Sequence, residues 1–124
     1  MTSILKFQKQ NPVTNQLGDL CWLNEADDLH REDGPALIYK ETDDSYNRED
    51  WFLNGERHND SGPAIKTYRR SHSSGEIYRR KYRWFLNGKS IDHVKVEEWY
   101  IGNGLGLEKP LHPKYKMLFK LTFG

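Results

Sequence analysis

The chain holds one cysteine in 124 residues, Cys21, so no internal disulfide can form. That excludes a secreted disulfide scaffold and fits a reducing compartment. Long apolar runs are missing as well, and nothing approaches the roughly 20 residues that span a bilayer. The opening Met1-Thr2-Ser3-Ile4-Leu5-Lys6-Phe7 has no signal-peptide core. A cytoplasmic protein without membrane association is expected. Charge of one sign is also lacking: the net charge is +1, which removes any global signal for a polyanion or a membrane surface. Metal-ligand spacing is absent. The five histidines are scattered, Cys21 stands alone, and there is no CxxC or HxxxH pair. No metal and no cofactor is expected.

Hydrophobic residues are scarce, at 35%, against 30% charged, so the core must be small. Aromatics make up 13%, including four Trp and seven Tyr, and large rings must supply much of the buried area. That composition suits strands better than helices. The length is that of a single domain, 1–124.

What is present is a repeat. Trp22-Leu23-Asn24, His30 and Asp33-Gly34-Pro35-Ala36-Leu37 form one copy. Trp51-Phe52-Leu53-Asn54-Gly55, His58 and Ser61-Gly62-Pro63-Ala64-Ile65 form the second. Trp84-Phe85-Leu86-Asn87-Gly88 opens a third that lacks Gly-Pro-Ala. Trp-Phe-Leu is a strand-favouring run. Asn-Gly after it is the strongest short hairpin signal, because a type I′ turn needs positive φ at both central residues. Gly-Pro makes a second turn, and Ala36–Tyr39 and Ala64–Tyr68 read as the next strands. In the first copy Glu25-Ala26-Asp27-Asp28 makes the turn one residue longer. Segments 41–45 and 71–75 read as loops.

These signals predict a mainly β fold, an antiparallel β-hairpin repeat meander of about three repeats over residues 20–90. Trp51 and Trp84 should be buried along one face. Ser90 or Asp92 can cap a helix through His93–Ile101, stopped by Gly102 or Gly104, giving a helical cap at 91–104. Val96, Trp99 and Tyr100 share one face of it. Ile4-Leu5-Lys6-Phe7 reads as an edge strand. The extension 105–124 reads as containing another strand, Tyr115–Phe123, after Pro110 and Pro113.

The pattern Trp-x-Leu-Asn-Gly…His-x-x-x-Gly-Pro-Ala resembles the MORN-like repeat variants of bacterial and bacteriophage proteins. The resemblance covers about residues 20–90. It implies a β-hairpin array used as a binding or scaffolding module, with no catalytic residues. It further implies a host-directed protein partner, for example a bacterial defence enzyme to be inhibited in the host cytoplasm.

Chemistry is sparse. His30 and His58 lie near Asp33 and Asp60, the ingredients of a general base with its orienting partner. Their identical place in the repeat favours a structural role, bonding a turn carbonyl or packing on Trp. Cys21 has no identifiable activating base. Gly102-Asn103-Gly104-Leu105-Gly106 reads as a helix stop, since a phosphate-cradling loop needs a strand before it and a helix after.

Charge is segregated. Glu25–Asp60 carries twelve acidic and four basic residues, a balance of −8, and Lys66–Arg83 seven basic and one acidic, a balance of +6. The acidic block can mimic nucleic acid on a basic partner, or pair with the basic block across strands. The basic hairpin interleaves Arg with Tyr, a composition found at protein hot spots and at single-stranded nucleic-acid sites. Tyr68, Arg69, Arg70, Tyr78, Arg79, Arg80, Tyr82 and Arg83 are the candidate partner-binding residues. The expected function is a non-enzymatic protein-binding module. The alternative is nucleic-acid binding through 66–83.

Overall fold

A computed structural model describes residues 11–124. The edge-strand reading of Ile4–Phe7 lies outside the described residues. Seven strands form one antiparallel sheet: β1 (Val13–Thr14), β2 (Leu20–Cys21), β3 (Leu37–Ile38), β4 (Tyr46–Asp50), β7 (Ile65–Arg70), β8 (Ile77–Leu86) and β9 (Lys89–Ile91), in that order. Strands β5 (Phe52–Leu53) and β6 (Glu56–Arg57) form a separate hairpin between β4 and β7. Two helices follow, α1 (His93–Gly102) and α2 (Pro113–Phe123). The mainly β meander is as the sequence implies.

Both Asn-Gly pairs make the expected turns. Asn54 and Gly55 have φ of 48° and 82°, and Asn87 and Gly88 have 50° and 81°. They close two-residue loops between Leu53 and Glu56 and between Leu86 and Lys89. In the first copy Asn24 N–H donates to Asp28 O at 2.9 Å, and Asp27 sits at φ 64°, which gives a three-residue loop. The turn is one residue longer, as its spacing implies.

Equivalent backbone bonds recur in successive copies. Trp22 N donates to Ala36 O at 2.8 Å, and Trp51 N to Ala64 O at 2.7 Å. His30 N donates to Trp22 O at 2.9 Å, and His58 N to Trp51 O at 3.1 Å. The Gly-Pro turns are held alike: Arg31 Nη1 donates to Pro35 O at 3.2 Å, and Asn59 Nδ2 to Pro63 O at 2.9 Å. Arg31 also lies 4.0 Å over the Trp22 ring. Gly34 lies beneath it, where a Cβ would stand 2.8 Å from Arg31 Cζ and push the guanidinium aside.

The core is concentrated at the C-terminal end. Trp84, Leu86, Val96, Tyr100, Leu111 and Phe119 are buried together, with Tyr82, Trp99, Tyr115 and Phe123 packed against them. Trp22 and Trp84 are buried, but Trp51 is only half-buried. That corrects the expectation for Trp51, which among the described residues has neither a guanidinium over its ring, as Arg31 covers Trp22, nor the helices that pack on Trp84. Asp92 caps α1 by accepting from Val94 N at 2.9 Å. Gly104, at φ 67°, ends it with Gly104 N to Ile101 O at 3.0 Å and Leu105 N to Tyr100 O at 2.9 Å, a Schellman pair.

The C-terminal extension is a helix, which corrects the strand expected at Tyr115–Phe123. Apolar residues at 115, 117, 119, 121 and 123 do alternate, but aromatics at 115, 119 and 123 also fit a helical face. Packing decides between the two periods. Tyr115, Phe119 and Phe123 all meet the Trp99 ring edge-on, with centroids 6.4, 5.4 and 6.2 Å away. Pro113, at the first position, starts the helix without losing a hydrogen bond.

Replacing Trp84 by Ala should cost about 3–5 kcal/mol in urea unfolding, since a fully buried ring leaves a cavity. A cost under about 1 kcal/mol would contradict this core. Gly55→Val forces a β-branched residue to positive φ and should cost about 1–3 kcal/mol by the same measurement. An unchanged midpoint would remove the type I′ turn.

Candidate functional site

The eight Tyr and Arg residues of the basic hairpin do not form one patch. Register pairs Lys66 with Tyr82 and Ile65 with Arg83. Strand alternation therefore puts Tyr68, Arg70, Arg80 and Tyr82 on the side of Trp84 and the helices. Arg69, Tyr78 and Arg83 face the other way. Arg79 occupies a bulge, at φ 55°, where pairing shifts from Thr67–Lys81 to Arg69–Tyr78.

Several of these cations are already engaged by carboxylates. Arg69 Nη1 lies 3.1 Å from Asp44 Oδ2, with its guanidinium 5.5 Å over the Tyr46 ring. Arg70 Nε is 3.9 Å from Glu41 and stacks over Tyr68 at 5.9 Å. Arg80 Nε is 2.9 Å from Glu108 Oε1. Tyr68 donates to Glu49 at 3.3 Å, and burial, with Glu49 beside it, pushes its phenol up. Part of the charge segregation is thus pairing of β7 arginines with loop 41–45, beside the β4 ladder rather than across it. Arg79, Lys81 and Arg83 make no ion pair among the described residues, and all three are exposed.

One carboxylate of the acidic block is fully buried. Asp50 accepts from Arg48 Nε at 2.8 Å and Arg48 Nη2 at 3.0 Å, and from Arg57 Nη2 at 3.2 Å. Its bond to Arg48 strengthens that cation's hold on its proton. The second partner, Arg57, comes from the β5–β6 hairpin, so Asp50 anchors that hairpin to the main sheet.

The motif histidines act between copies. Asn54 N–H donates to His30 Nδ1 at 2.9 Å, and Asn87 N–H donates to His58 Nδ1 at 2.9 Å. Each ring therefore ties its own copy to the Asn-Gly turn of the next. A backbone amide only donates, so both Nδ1 atoms are unprotonated acceptors and the proton sits on Nε2. The role is structural, but the partner is a turn amide rather than the turn carbonyl expected, so the ring accepts instead of donating.

The described residues hold one close Ser–His contact, Ser45 Oγ to His72 Nε2 at 2.5 Å. Ser45 is 2% exposed, so its hydroxyl is walled off, and the contact joins loops 41–45 and 71–75. Cys21 is half-buried, and burial, then Asp19, pushes its thiol up, away from the reactive thiolate. Among the described residues no group of three His, Cys, Asp or Glu side chains is placed to share a metal ion. No described helix is long and apolar enough to cross a membrane.

Two further features stand out, the second of which includes the candidate residues Arg80 and Tyr82. The first is an outward stripe on α2, where Met117, Leu118 and Leu121 are 64%, 39% and 75% exposed. With Lys114 they fall at i, i+3, i+4 and i+7, opposite the face of Phe119. That spacing is visible in the sequence but is hidden once the segment is read as a strand. The second is a cleft of about 490 Å³ lined by Arg80, Tyr82, Gly106, Leu107, Glu108 and Lys109. Nothing local in sequence joins Glu108 to β8.

No protein-family model, no curated protein and no solved structure matches this chain.

Burial lowers the proton affinity of His58; Lys120 also lowers it, against Asp60 and Glu56. The folded state then binds this proton less readily than the unfolded chain. The stability it confers is complete above the ordinary histidine value near 6.5 and falls as pH drops below it. Gln at position 58 does not titrate, so His58→Gln should lose less stability between pH 7.5 and 5.5 than the parent does. Equal losses in urea unfolding would contradict the assignment.

Proposed function

We propose that this chain is a non-enzymatic protein-binding module of the MORN-like type, and that its partner docks on the helical cap. The observation that carries this reading is the double-sided α2. One face packs Phe119 and its neighbours on Trp99, and the other offers Met117, Leu118 and Leu121 to solvent. A short helix with apolar residues on both sides is ordinarily covered on both. Val94 and Ile101 add exposed apolar surface on α1, at 49% and 77%. Contiguous exposed apolar area rimmed by charge marks partner surfaces. Leu and Met at helical spacing suit a hydrophobic groove, read as i, i+3, i+4, i+7 anchors. Lys114 lies on the same stripe, so the fitting groove carries acidic side chains at its rim. The hairpin array would then serve as the rigid mount for this cap.

A second surface rests on a different observation. Tyr78 is 43% exposed, and it lies on β8 with Arg79, Lys81 and Arg83, which make no ion pair among the described residues. Free cations beside an open ring are what a single-stranded nucleic acid needs.

The two readings separate in one capture experiment from bacterial lysate, with nuclease treatment. Capture of a stoichiometric protein should survive nuclease, be lost in the pair Met117→Asp, Leu121→Asp, and persist in the pair Arg79→Glu, Arg83→Glu. All four sites are exposed, so the variants should fold. Recovery of nucleic acid instead, lost only in the Arg variants, would overturn the docking reading.

A further inference from the structure

The cleft beside β8 is built differently from the docking stripe. Its volume, about 490 Å³, lies in the range of small-molecule sites. Its polar groups are already oriented. Arg80 Nε lies 2.9 Å from Glu108 Oε1, and the Tyr82 hydroxyl donates to the same oxygen at 3.3 Å. The Tyr82 ring is fixed from behind by Trp84, edge-on at 6.0 Å and 68°. Burial, then Glu108, pushes its phenol up, so Tyr82 stays a neutral donor. Lys109 makes no ion pair among the described residues, and the second Glu108 oxygen makes no hydrogen bond there. Gly106 has open space where a Cβ would stand, so its backbone is approachable.

The lining therefore offers one oriented ring, one aliphatic side chain, two cations and a carboxylate with a spare oxygen. A bare anion would satisfy the cations but meet repulsion from Glu108. A purely apolar molecule would strip water from Arg80, Lys109 and Glu108 and return nothing. A ligand that satisfies every group has a flat ring with N–H donors on one edge and an anionic tail. We infer that this cleft binds a purine nucleoside monophosphate. The ring lies against Tyr82 and Leu107, its N–H edge donates to Glu108, which Arg80 holds in place, and its phosphate reaches Lys109. Guanine fits best, because its two adjacent N–H donors converge on the second Glu108 oxygen, whose two lone pairs are open while Oε1 holds Arg80 and Tyr82.

Titration calorimetry with GMP, UMP and inorganic phosphate tests this on the whole chain. GMP should bind, and more tightly than UMP or phosphate. Lys109→Ala should weaken GMP about tenfold, the scale of one charge-assisted contact. Glu108→Gln should remove the preference for GMP over UMP, and Arg83→Ala, on the opposite face, should change nothing. No heat at millimolar GMP would overturn the inference. So would phosphate binding as tightly as GMP, or GMP binding unchanged in Lys109→Ala. The docking stripe is untouched by these variants, so either idea can fail without the other.

Discussion

The bond from an Asn-Gly turn amide to the histidine of the preceding copy is the constraint on which the array depends. Each hairpin is too small to hold its place by burial alone: its ladder has only two paired positions in β5–β6. A type I′ turn directs the Asn amide outward, where its own hairpin offers no acceptor. The neighbouring imidazole supplies one, at 2.9 Å in both joints. The same logic explains where the array stops. Ile91 pairs with Trp84 at the position that His58 holds in the second copy. An isoleucine accepts nothing, and the chain turns at Asp92 into α1.

Stability is distributed unevenly along the molecule. The middle of the sheet is held by charge, with Asp50 between Arg48 and Arg57, and Arg69 on Asp44. The C-terminal end is held by rings, with Trp99 meeting Tyr100, Tyr115, Phe119 and Phe123. Lys116 and Lys120 join the two regions by reaching Asp60, at 3.6 and 3.3 Å, in the second copy's Gly-Pro turn. The cap is therefore both the main apolar core and the place where apolar surface is left outside. That pairing of rigid support with an uncovered helix face is what favours docking there.

Much of this was legible in the residues. Asn-Gly marked both type I′ turns, and the Trp and His spacing marked the recurring segments. The limits of α1 were narrowed to Ser90 or Asp92 and to Gly102 or Gly104, of which the fold uses Asp92 and Gly104. Three features escaped for physical reasons. In α2 the apolar residues satisfy both periods, and only Trp99, distant in sequence, selects the helix. The split of the Tyr and Arg residues depends on a bulge at Arg79, a non-glycine at positive φ that no local pattern announces. Glu108 meets Arg80 and Tyr82 only because α1 folds back over β8.

The most direct measurement of the central claim is the tautomer of His30 and His58 by long-range nitrogen–proton correlation at neutral pH. The stitched array requires both rings to carry the proton on Nε2, with Nδ1 coupled to the amides of Asn54 and Asn87. A proton on Nδ1 in either ring would leave that turn amide without its acceptor and contradict the account.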